Sequence, residues 1–257
     1  MAGGKDSVID QLLHHRTLRR WAAAARAAKD TDLRQLRRER GRARKLKHHL
    51  DTLIHVAESR LALPIVGNQA FPRPHDSDWG WRPELWCGPL ASPGGSSVQS
   101  KTMLGHEVTL FHDCRHSELT LRQLRNTREA DLAAFGLRMD VFRFDGSYLS
   151  LAIDLPEEAS RDLRRKHLIR VETIVEREKP LEIFARLNIK NGPNTEQIVR
   201  ELPLHEDEIM VEFDLAYTKL NEKRVERMWL DLIFEGPQMN QVILRDLTFS
   251  RRPRAEL

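Results

Sequence analysis

The sequence has only two cysteines and no long hydrophobic run. Cys87 and Cys114 cannot build the disulfide framework that is typical of small secreted domains. The most apolar stretch, WAAAARAA, is interrupted by Arg26 and is too short to span a bilayer. The N-terminus also lacks the apolar region and the cleavage site of a signal peptide. We therefore expect a cytoplasmic protein with reduced thiols and no transmembrane segment.

The sequence also lacks the short motifs of common enzymes. It has no glycine-rich phosphate loop, no Gly-x-Ser-x-Gly elbow and no His-Glu-x-x-His pair. The best local metal motif is HDCRH, in which His112, Cys114 and His116 would share one face of a strand. The competing interpretation is a polar strand end with a buried Cys114, and no second ligand pair of diagnostic spacing supports zinc. These observations favour a protein without a catalytic role and without a cofactor.

Positive charge is concentrated at the N-terminal end. Residues 1–60 hold 15 Lys and Arg against 7 Asp and Glu, whereas the remaining 197 residues hold 27 against 31. The net charge is therefore +8 in the first segment and −4 in the rest, although the whole chain carries only +4. A basic arm on an acidic body indicates either an anionic partner or docking of one part on the other.

Two helices are predicted in this arm. Ser7 is typical of a helix start, and the first helix is expected to run through the Ala-rich stretch 22–28. The KDTD stretch at 29–32 offers caps for a second helix, which Pro64 ends. The apolar residues of this second helix recur every three or four positions, a spacing typical of coiled coils, with one glutamate in the seam. The sequence therefore predicts a basic helical hairpin or coiled coil over residues 1–63.

The first half of the second helix carries a run of basic side chains. Those expected to contact an anionic partner are Arg37, Arg38, Arg42, Arg44 and Lys45. No aromatic side chain lies among them, which disfavours stacking on single-stranded nucleic acid. A charge run on a helix more often serves solubility and packing. We therefore favour a protein partner or self-association through the arm, with nucleic acid and an anionic membrane surface as the alternatives.

Residues 64–102 are rich in Pro, Gly, Trp and Ser and show no sustained period. The stretch DWGWRPELW brings Trp79, Trp81 and Trp86 close together. Gly80 favours an extended chain in which Trp79 and Trp81 point the same way. Burying two indoles would contribute several kcal/mol at ~25 cal/mol per Å² of apolar surface. We predict a linker that its tryptophans hold on the following domain, instead of an open platform for a ligand.

After Met103, apolar and polar residues alternate. LEIFARLNI at 181–189, IMVEFDLAY at 209–217 and YLSLAIDL at 148–155 each place every second residue on an apolar face. FRFDGSYLS carries an Asp-Gly hairpin signal at 145–146. Further strands are predicted over 107–113, 118–125, 136–144, 167–176, 227–235 and 241–249. Eight or nine strands separated by turns predict an antiparallel, jelly-roll-like β-sandwich over residues 103–257.

Polar side chains on the outward face of these strands are the candidate ligand contacts. They are Arg186 and Asn188 on one strand, Glu212 and Asp214 on a second, and Trp229 and Asp231 on a third. If these three strands are neighbours, an aromatic ring lies beside planar hydrogen-bonding groups, which is the combination that sugar recognition uses. In the competing interpretation these groups pair with one another, or lie under the arm or the linker.

The sequence resembles one uncharacterised family. FDGSYLSLAIDLP, EIFARLNIKNGPNTEQIVREL, VEFDLAY and WLDLIFEGPQMNQVILRDLTFSRRPRAEL are similar to stretches of an alphaproteobacterial family with a domain of unknown function. The match covers about residues 79–257 and implies no site, because that family has no assigned activity. The C-terminal stretch also resembles the last two strands of jelly-roll carbohydrate-binding modules. That resemblance implies a structural calcium ion bound by an acidic residue on the final strand, where Asp246 stands.

These observations predict three parts: a basic helical arm over 1–63, a tryptophan-anchored linker over 64–102, and a β-sandwich over 103–257. The predicted role is non-enzymatic binding or assembly, with a glycan-type ligand on the outward sandwich face as the leading specific hypothesis. The alternative is an adaptor whose arm docks on a protein or an anionic surface. A bacterial hydrolase that uses acids such as Asp214 and Asp231 in one cleft ranks third. An open face lined by Arg186 and Trp229 would favour the glycan.

Overall fold

The computed structural model describes residues 8–62, 71–128, 131–205 and 208–254. The chain divides into two compact units, Met1–Thr52 and Leu53–Leu257. The boundary falls within the second long helix and therefore precedes the predicted end of the arm at residue 63. Ser7 and Pro64, the predicted start and end of the helical arm, lie outside the described residues.

Two helices make up the described part of the arm. They are α1 (Val8–Ala27) and α2 (Leu33–Ala62), of which the last ten residues belong to the second unit. Asp32 begins α2, because its carboxylate accepts hydrogen bonds from the backbone N–H groups of Arg34 and Gln35 at 2.9 and 3.1 Å. Leu46 and Leu50, two of the apolar residues whose three-to-four spacing along this helix predicts the coiled coil, remain 37% and 47% exposed. The described arm is therefore helical, but these leucines are not packed as a coiled-coil seam within one chain.

The second unit is a sandwich of two antiparallel sheets. Its strands are β1 (Trp79–Trp81), β2 (Gly94–Ser96), β3 (Thr102–Leu104), β4 (Val108–His112), β5 (Leu119–Arg125), β6 (Phe135–Val141), β7 (Leu149–Asp154), β8 (His167–Arg177), β9 (Glu182–Asn191), β10 (Asn194–Glu201), β11 (Glu208–Asp214), β12 (Val225–Glu235) and β13 (Asn240–Pro253). Two one-turn helices, α3 (Glu84–Cys87) and α4 (Glu157–Ser160), connect them. The structure confirms the predicted mainly β, jelly-roll-like sandwich.

Strand order assigns each candidate side chain to one of the two sheets. The first sheet has the order β11-β8-β13-β6-β5-β2, with β1 paired to β13. The second sheet has the order β10-β9-β12-β7-β4-β3. β9 and β12 are therefore neighbours, whereas β11 is the edge strand of the opposite sheet.

The core lies between the two sheets. Ile169 and Phe249 of the first sheet and Leu187 and Leu230 of the second are all fully buried in one hydrophobic cluster. Because successive side chains of a strand point to opposite faces, these inward residues direct their neighbours along the strand toward the outside. The outer face of the second sheet thus receives the polar residues that alternate with this core.

Residues 79–104 belong to the sandwich and do not form a linker laid over it. Trp86 is fully buried, and its indole Nε1 donates a hydrogen bond to the carbonyl of Leu244 at 3.0 Å. The rings of Trp79 and Trp81 stack with centroids 6.5 Å apart, and the ring of Trp81 lies 5.4 Å from that of Phe249. These indoles anchor β1 and α3 to the first sheet, as the sequence predicted for the tryptophans.

One local prediction about turns is wrong, and one strand was not predicted. Asp145–Gly146 is not a hairpin turn, because β6 and β7 on either side of it belong to different sheets. The carboxylate of Asp113 holds this connection by accepting the backbone N–H groups of Ser147 and Tyr148 at 2.7 and 3.2 Å. The hairpin at Gly192 instead joins β9 to β10, with Gly192 at a φ of 63°. β10 was missed because its mostly exposed residues give no apolar alternation.

Candidate functional site

The outer face of the second sheet carries four of the predicted ligand contacts. The register of β9 and β12 places Arg186 opposite Asp231 and Asn188 opposite Trp229. On the far side of β9, Gln197 of β10 pairs with Asn188. The condition that the strands be neighbours is therefore met for β9 and β12, which pair directly.

A hydrogen-bond cluster fixes the polar part of this face. The Oδ2 atom of Asp231 accepts from Nε and a terminal nitrogen of Arg186 at 3.0 and 2.9 Å and from Nδ2 of Asn188 at 2.9 Å. Nε2 of Gln197 donates to Oδ1 of Asn188 at 2.8 Å. Asn188 is fully buried and Asp231 is 7% exposed, whereas the Arg186 side chain is 37% exposed. The buried members hold the exposed ones in a fixed arrangement.

Trp229 supplies the aromatic part of the same face. It is half-buried and lies in one cross-strand row with Asn188 on one side and Asp154 on the other. The guanidinium of Arg227 lies 4.7 Å from the centre of the Trp229 ring, within the range of a cation–π contact. A ligand that stacks on this face of the indole must therefore displace Arg227.

These groups line an open cleft of about 560 Å³. Besides the predicted residues, its walls include Tyr148, Ser150, Asp154, Gln197 and Arg227. Tyr148 is 45% exposed, so a second aromatic ring is accessible at this cleft. The alternation of YLSLAIDL already placed Ser150 and Asp154 outward, but strand order was needed to bring them beside Trp229. Gln197 carried no such signal, because β10 itself was missed.

Glu212 and Asp214 are not part of this face, and their predicted place beside Trp229 is wrong. Both lie on β11 in the opposite sheet. Glu212 pairs with Arg252 at 3.1 Å, and Asp214 pairs with Arg254 at 3.4 Å. Since Asp214 and Asp231 belong to different sheets, the hydrolase hypothesis loses the pair of acids on which it was based. β11 and β12 thus follow each other in the sequence but lie in different sheets.

Asp246, the predicted calcium ligand, binds an arginine in this structure. Its two carboxylate oxygens accept from Nε and a terminal nitrogen of Arg82 at 2.8 and 2.7 Å. Burial raises the pKa of the Asp246 carboxyl, and the Arg82 guanidinium opposes that rise. Among the described residues, no group of three or more His, Cys, Asp or Glu side chains could hold a metal ion. The calcium site stays a prediction, with the carboxylate engaged by Arg82.

The HDCRH motif has backbone partners. The Nε2 atom of His112 lies 2.9 Å from the carbonyl of Val98, and its Nδ1 accepts the backbone N–H of Cys114 at 3.1 Å. Both ring nitrogens of this buried histidine are therefore used within the fold. This arrangement matches the interpretation of the motif as a strand end, but Cys114, which that interpretation expected to be buried, is only half-buried.

The predicted anionic contacts of the arm are accessible. Arg37, Arg38, Arg42, Arg44 and Lys45 are all exposed on α2. Nothing in the fold of the sandwich bears on whether they bind a partner, so their role stays a prediction at this point.

Solved structures similar to this chain include carbohydrate-binding modules and an enzyme domain. The enzymatically active domain of bacteriophage CBA120 tailspike protein 4 is 10% identical, over 69% of this chain and 24% of that one, with a TM-score of 0.41. The present chain thus spans about a quarter of the tailspike chain. A family 11 carbohydrate-binding module from Clostridium thermocellum, solved with a β-1,3-1,4-mixed-linked tetrasaccharide, is 8% identical over 65% of this chain and all 100% of its own, with a TM-score of 0.36.

The C-terminal family 22 carbohydrate-binding module of a Clostridium thermocellum xylanase is 6% identical over 73% of this chain and 100% of its own, with a TM-score of 0.39. At such low scores these similarities assign no ligand and no site. No curated protein sequence matches the chain. The family model of DUF6478, a family of unknown function, matches residues 1–257 and so includes the helical arm as well as the predicted region from 79 onward; the chain belongs to this family.

Proposed function

We propose that the chain is a non-enzymatic binding protein whose second sheet binds a glycan on its outer face. The observation that carries this proposal is the open cleft in which the Trp229 indole stands beside the hydrogen-bonded group of Arg186, Asn188, Asp231 and Gln197. We name this set of five residues the Trp229 cleft. Within the second unit this face is open to solvent. An open face lined by Arg186 and Trp229 is the condition under which the sequence favours a glycan ligand.

The chemistry of a pyranose ring matches both parts of the Trp229 cleft. One side of the ring presents C–H groups that pack on an indole, and its edge presents hydroxyl groups that need paired donors and acceptors. Arg186 offers a planar donor group whose side chain is 37% exposed, and Asp231 offers carboxylate oxygens at 7% exposure. Asn188 and Gln197 already hold these groups in place. The conformational entropy that the protein loses when a ligand binds to them is therefore small.

Binding to a panel of soluble polysaccharides tests the proposal. We would measure affinity by calorimetric titration with xylan, mixed-linked β-glucan and an acidic polysaccharide. Trp229→Ala should weaken binding at least about fivefold, taking for the sugar the roughly 1–3 kcal/mol that stacking of a planar ring on an aromatic side chain contributes. Arg227→Ala should leave binding unchanged or strengthen it, because the ligand then no longer has to displace that side chain from the indole.

The matched control is Tyr217→Ala, which removes a side chain that is 82% exposed beyond β11 of the opposite sheet. This variant should bind as the unaltered chain does. Equal binding by Trp229→Ala and the unaltered chain would place any glycan elsewhere, and no binding to any of the polysaccharides would refute the proposal.

A further inference from the structure

The first unit combines dense positive charge with exposed apolar side chains. Between Leu33 and Lys47, α2 holds eight Lys and Arg and a single acid, Glu39. α1 adds four exposed arginines, which are Arg16, Arg19, Arg20 and Arg26. Leu13, Leu18, Leu46 and Leu50 are 55%, 54%, 37% and 47% exposed. Contact of these leucine side chains with water is unfavourable, and a partner that covers them would gain the free energy of burying apolar surface.

The leucines and the cations of α2 are arranged so that one flat surface could contact both. Leu46 and Leu50 are four residues apart and therefore lie on the same side of the helix. Arg42, one turn before Leu46, borders this line on one side, and Lys47 borders it on the other. Long basic side chains reach past neighbouring apolar groups, so these cations could contact charged groups while the leucines are buried.

A second copy of the chain is a poor partner for this surface. Pairing two α2 helices along Leu46 and Leu50 would bring Arg40, Arg42 and Lys47 of each copy toward the same cations of the other. Like charges beside an apolar seam destabilise a coiled coil. A single acidic helix would neutralise only these flanking positions and would leave Arg34, Arg37 and Arg44, which point away from the leucines, without a counterion.

We infer that residues 8–52, which we call the basic arm, bind the surface of a membrane that contains anionic lipids. The exposed leucines enter the boundary between headgroups and acyl chains, and the cations lie among the phosphates, as in other amphipathic basic helices. The negative surface potential acts on every cation within about 10 Å, so it also attracts those that face away from the leucines. In the described part of the chain, neither long helix is apolar enough to cross the bilayer.

Vesicle binding by the full chain tests this inference. Sedimentation with vesicles of phosphatidylcholine mixed with phosphatidylglycerol should bring the protein down, whereas pure phosphatidylcholine should not. Replacing Arg40, Arg42 and Lys47 by Gln should lower the affinity about a hundredfold, at about fivefold per cation near an anionic surface. Leu46→Gln with Leu50→Gln should lower it at least about tenfold, because apolar burial is lost.

The matched control replaces Arg115, Arg122 and Arg143, three exposed arginines of the sandwich, by Gln. This variant has the same change in net charge and should bind the mixed vesicles as the unaltered chain does. Circular dichroism would confirm that each arm variant keeps its helical content.

Two other outcomes would overturn the inference. Salt-sensitive binding to duplex DNA that the arginine variant loses and the leucine variant keeps would identify the arm as a nucleic-acid contact. A dimer in lipid-free solution that the leucine variant converts to a monomer would identify self-association. Equal binding to both kinds of vesicle, or to neither, would also contradict the inference. None of these results depends on whether the Trp229 cleft binds a glycan.

Discussion

Asp246 and Arg82 form an ion pair that solvent hardly reaches. Their side chains are 11% and 1% exposed, and two hydrogen bonds join the carboxylate to the guanidinium. The backbone N–H of Leu247 adds a third donor at 2.8 Å to the same carboxylate. Removal of one partner at this depth leaves the other as a buried charge without a counterion. The destabilisation caused by that removal is therefore larger than the net contribution of the intact pair to stability.

We predict that Arg82→Ala destabilises the sandwich by about 3–5 kcal/mol, because the Asp246 carboxylate is then buried without a counterion. Denaturant unfolding would measure the change. The double variant Arg82→Ala/Asp246→Ala should cost clearly less than the sum of the single variants. Arg138→Ala, which breaks a pair with Asp140 whose arginine is 38% exposed, is the control and should cost less than about 1 kcal/mol.

The same pair allows a test of the calcium prediction for Asp246. If the carboxylate serves Arg82, adding a calcium chelator should leave the melting temperature of the unaltered chain unchanged. A lower melting temperature after chelation, restored by calcium and absent in Asp246→Asn, would instead assign Asp246 to an ion.

At the scale of elements, α3 fastens the segment before β2 to the first sheet. Leu85 and Trp86 are fully buried, and Gln123 of β5 donates from Nε2 to the carbonyls of Leu85 and Gly88 at 2.6 and 2.8 Å. A helix of one turn cannot be stable alone, because forming the first turn costs more than one hydrogen bond returns. The packing of Trp86 and the amide of Gln123 therefore hold α3 in place.

Trp86→Ala should destabilise the sandwich by about 3–5 kcal/mol, the usual cost of removing a buried aromatic side chain from a core. The variant also leaves the carbonyl of Leu244 without its indole donor. Trp79→Ala should cost less, since that indole is only half-buried. Unfolding in urea would compare the two variants, and a larger effect for Trp79 would mean that β1 and not α3 is the main anchor.

At the scale of the whole molecule, charge and core lie in different parts of the chain. Every residue of the hydrophobic core cluster falls between Leu85 and Phe249. The excess of positive charge lies within residues 1–60. The stability of the sandwich and the charge of the arm therefore depend on separate stretches of sequence.

Removing residues 1–52 should change the free energy of unfolding of the sandwich by less than about 1 kcal/mol, because no core side chain is deleted. The same truncation should abolish binding to anionic vesicles and preserve binding to polysaccharides. Chemical unfolding followed by tryptophan fluorescence would measure the first effect. A truncated chain that fails to fold would contradict the division into two separate compact units.

The sequence by itself determined the local features that repeat along the chain. Alternating apolar residues predicted β7, β8, β9 and β12 within a few positions, because burial on one face imposes a period of two. The same alternation placed Arg186, Asn188, Trp229 and Asp231 outward. The basic arm followed from composition and spacing, and its first described helix ends at Ala27, close to the predicted residue 28.

Only the tertiary structure decided which strands are neighbours. Strand order depends on how distant segments pair, and alternation within one strand carries no information about its partner. Asn188 thus lies beside Trp229 because β9 pairs with β12, whereas Glu212 lies in the opposite sheet because it belongs to β11. For the same reason the sequence did not predict that Asp246 pairs with Arg82, which is far away in the sequence. In the fold, the Asp246 carboxylate is bound by the Arg82 guanidinium instead of by water.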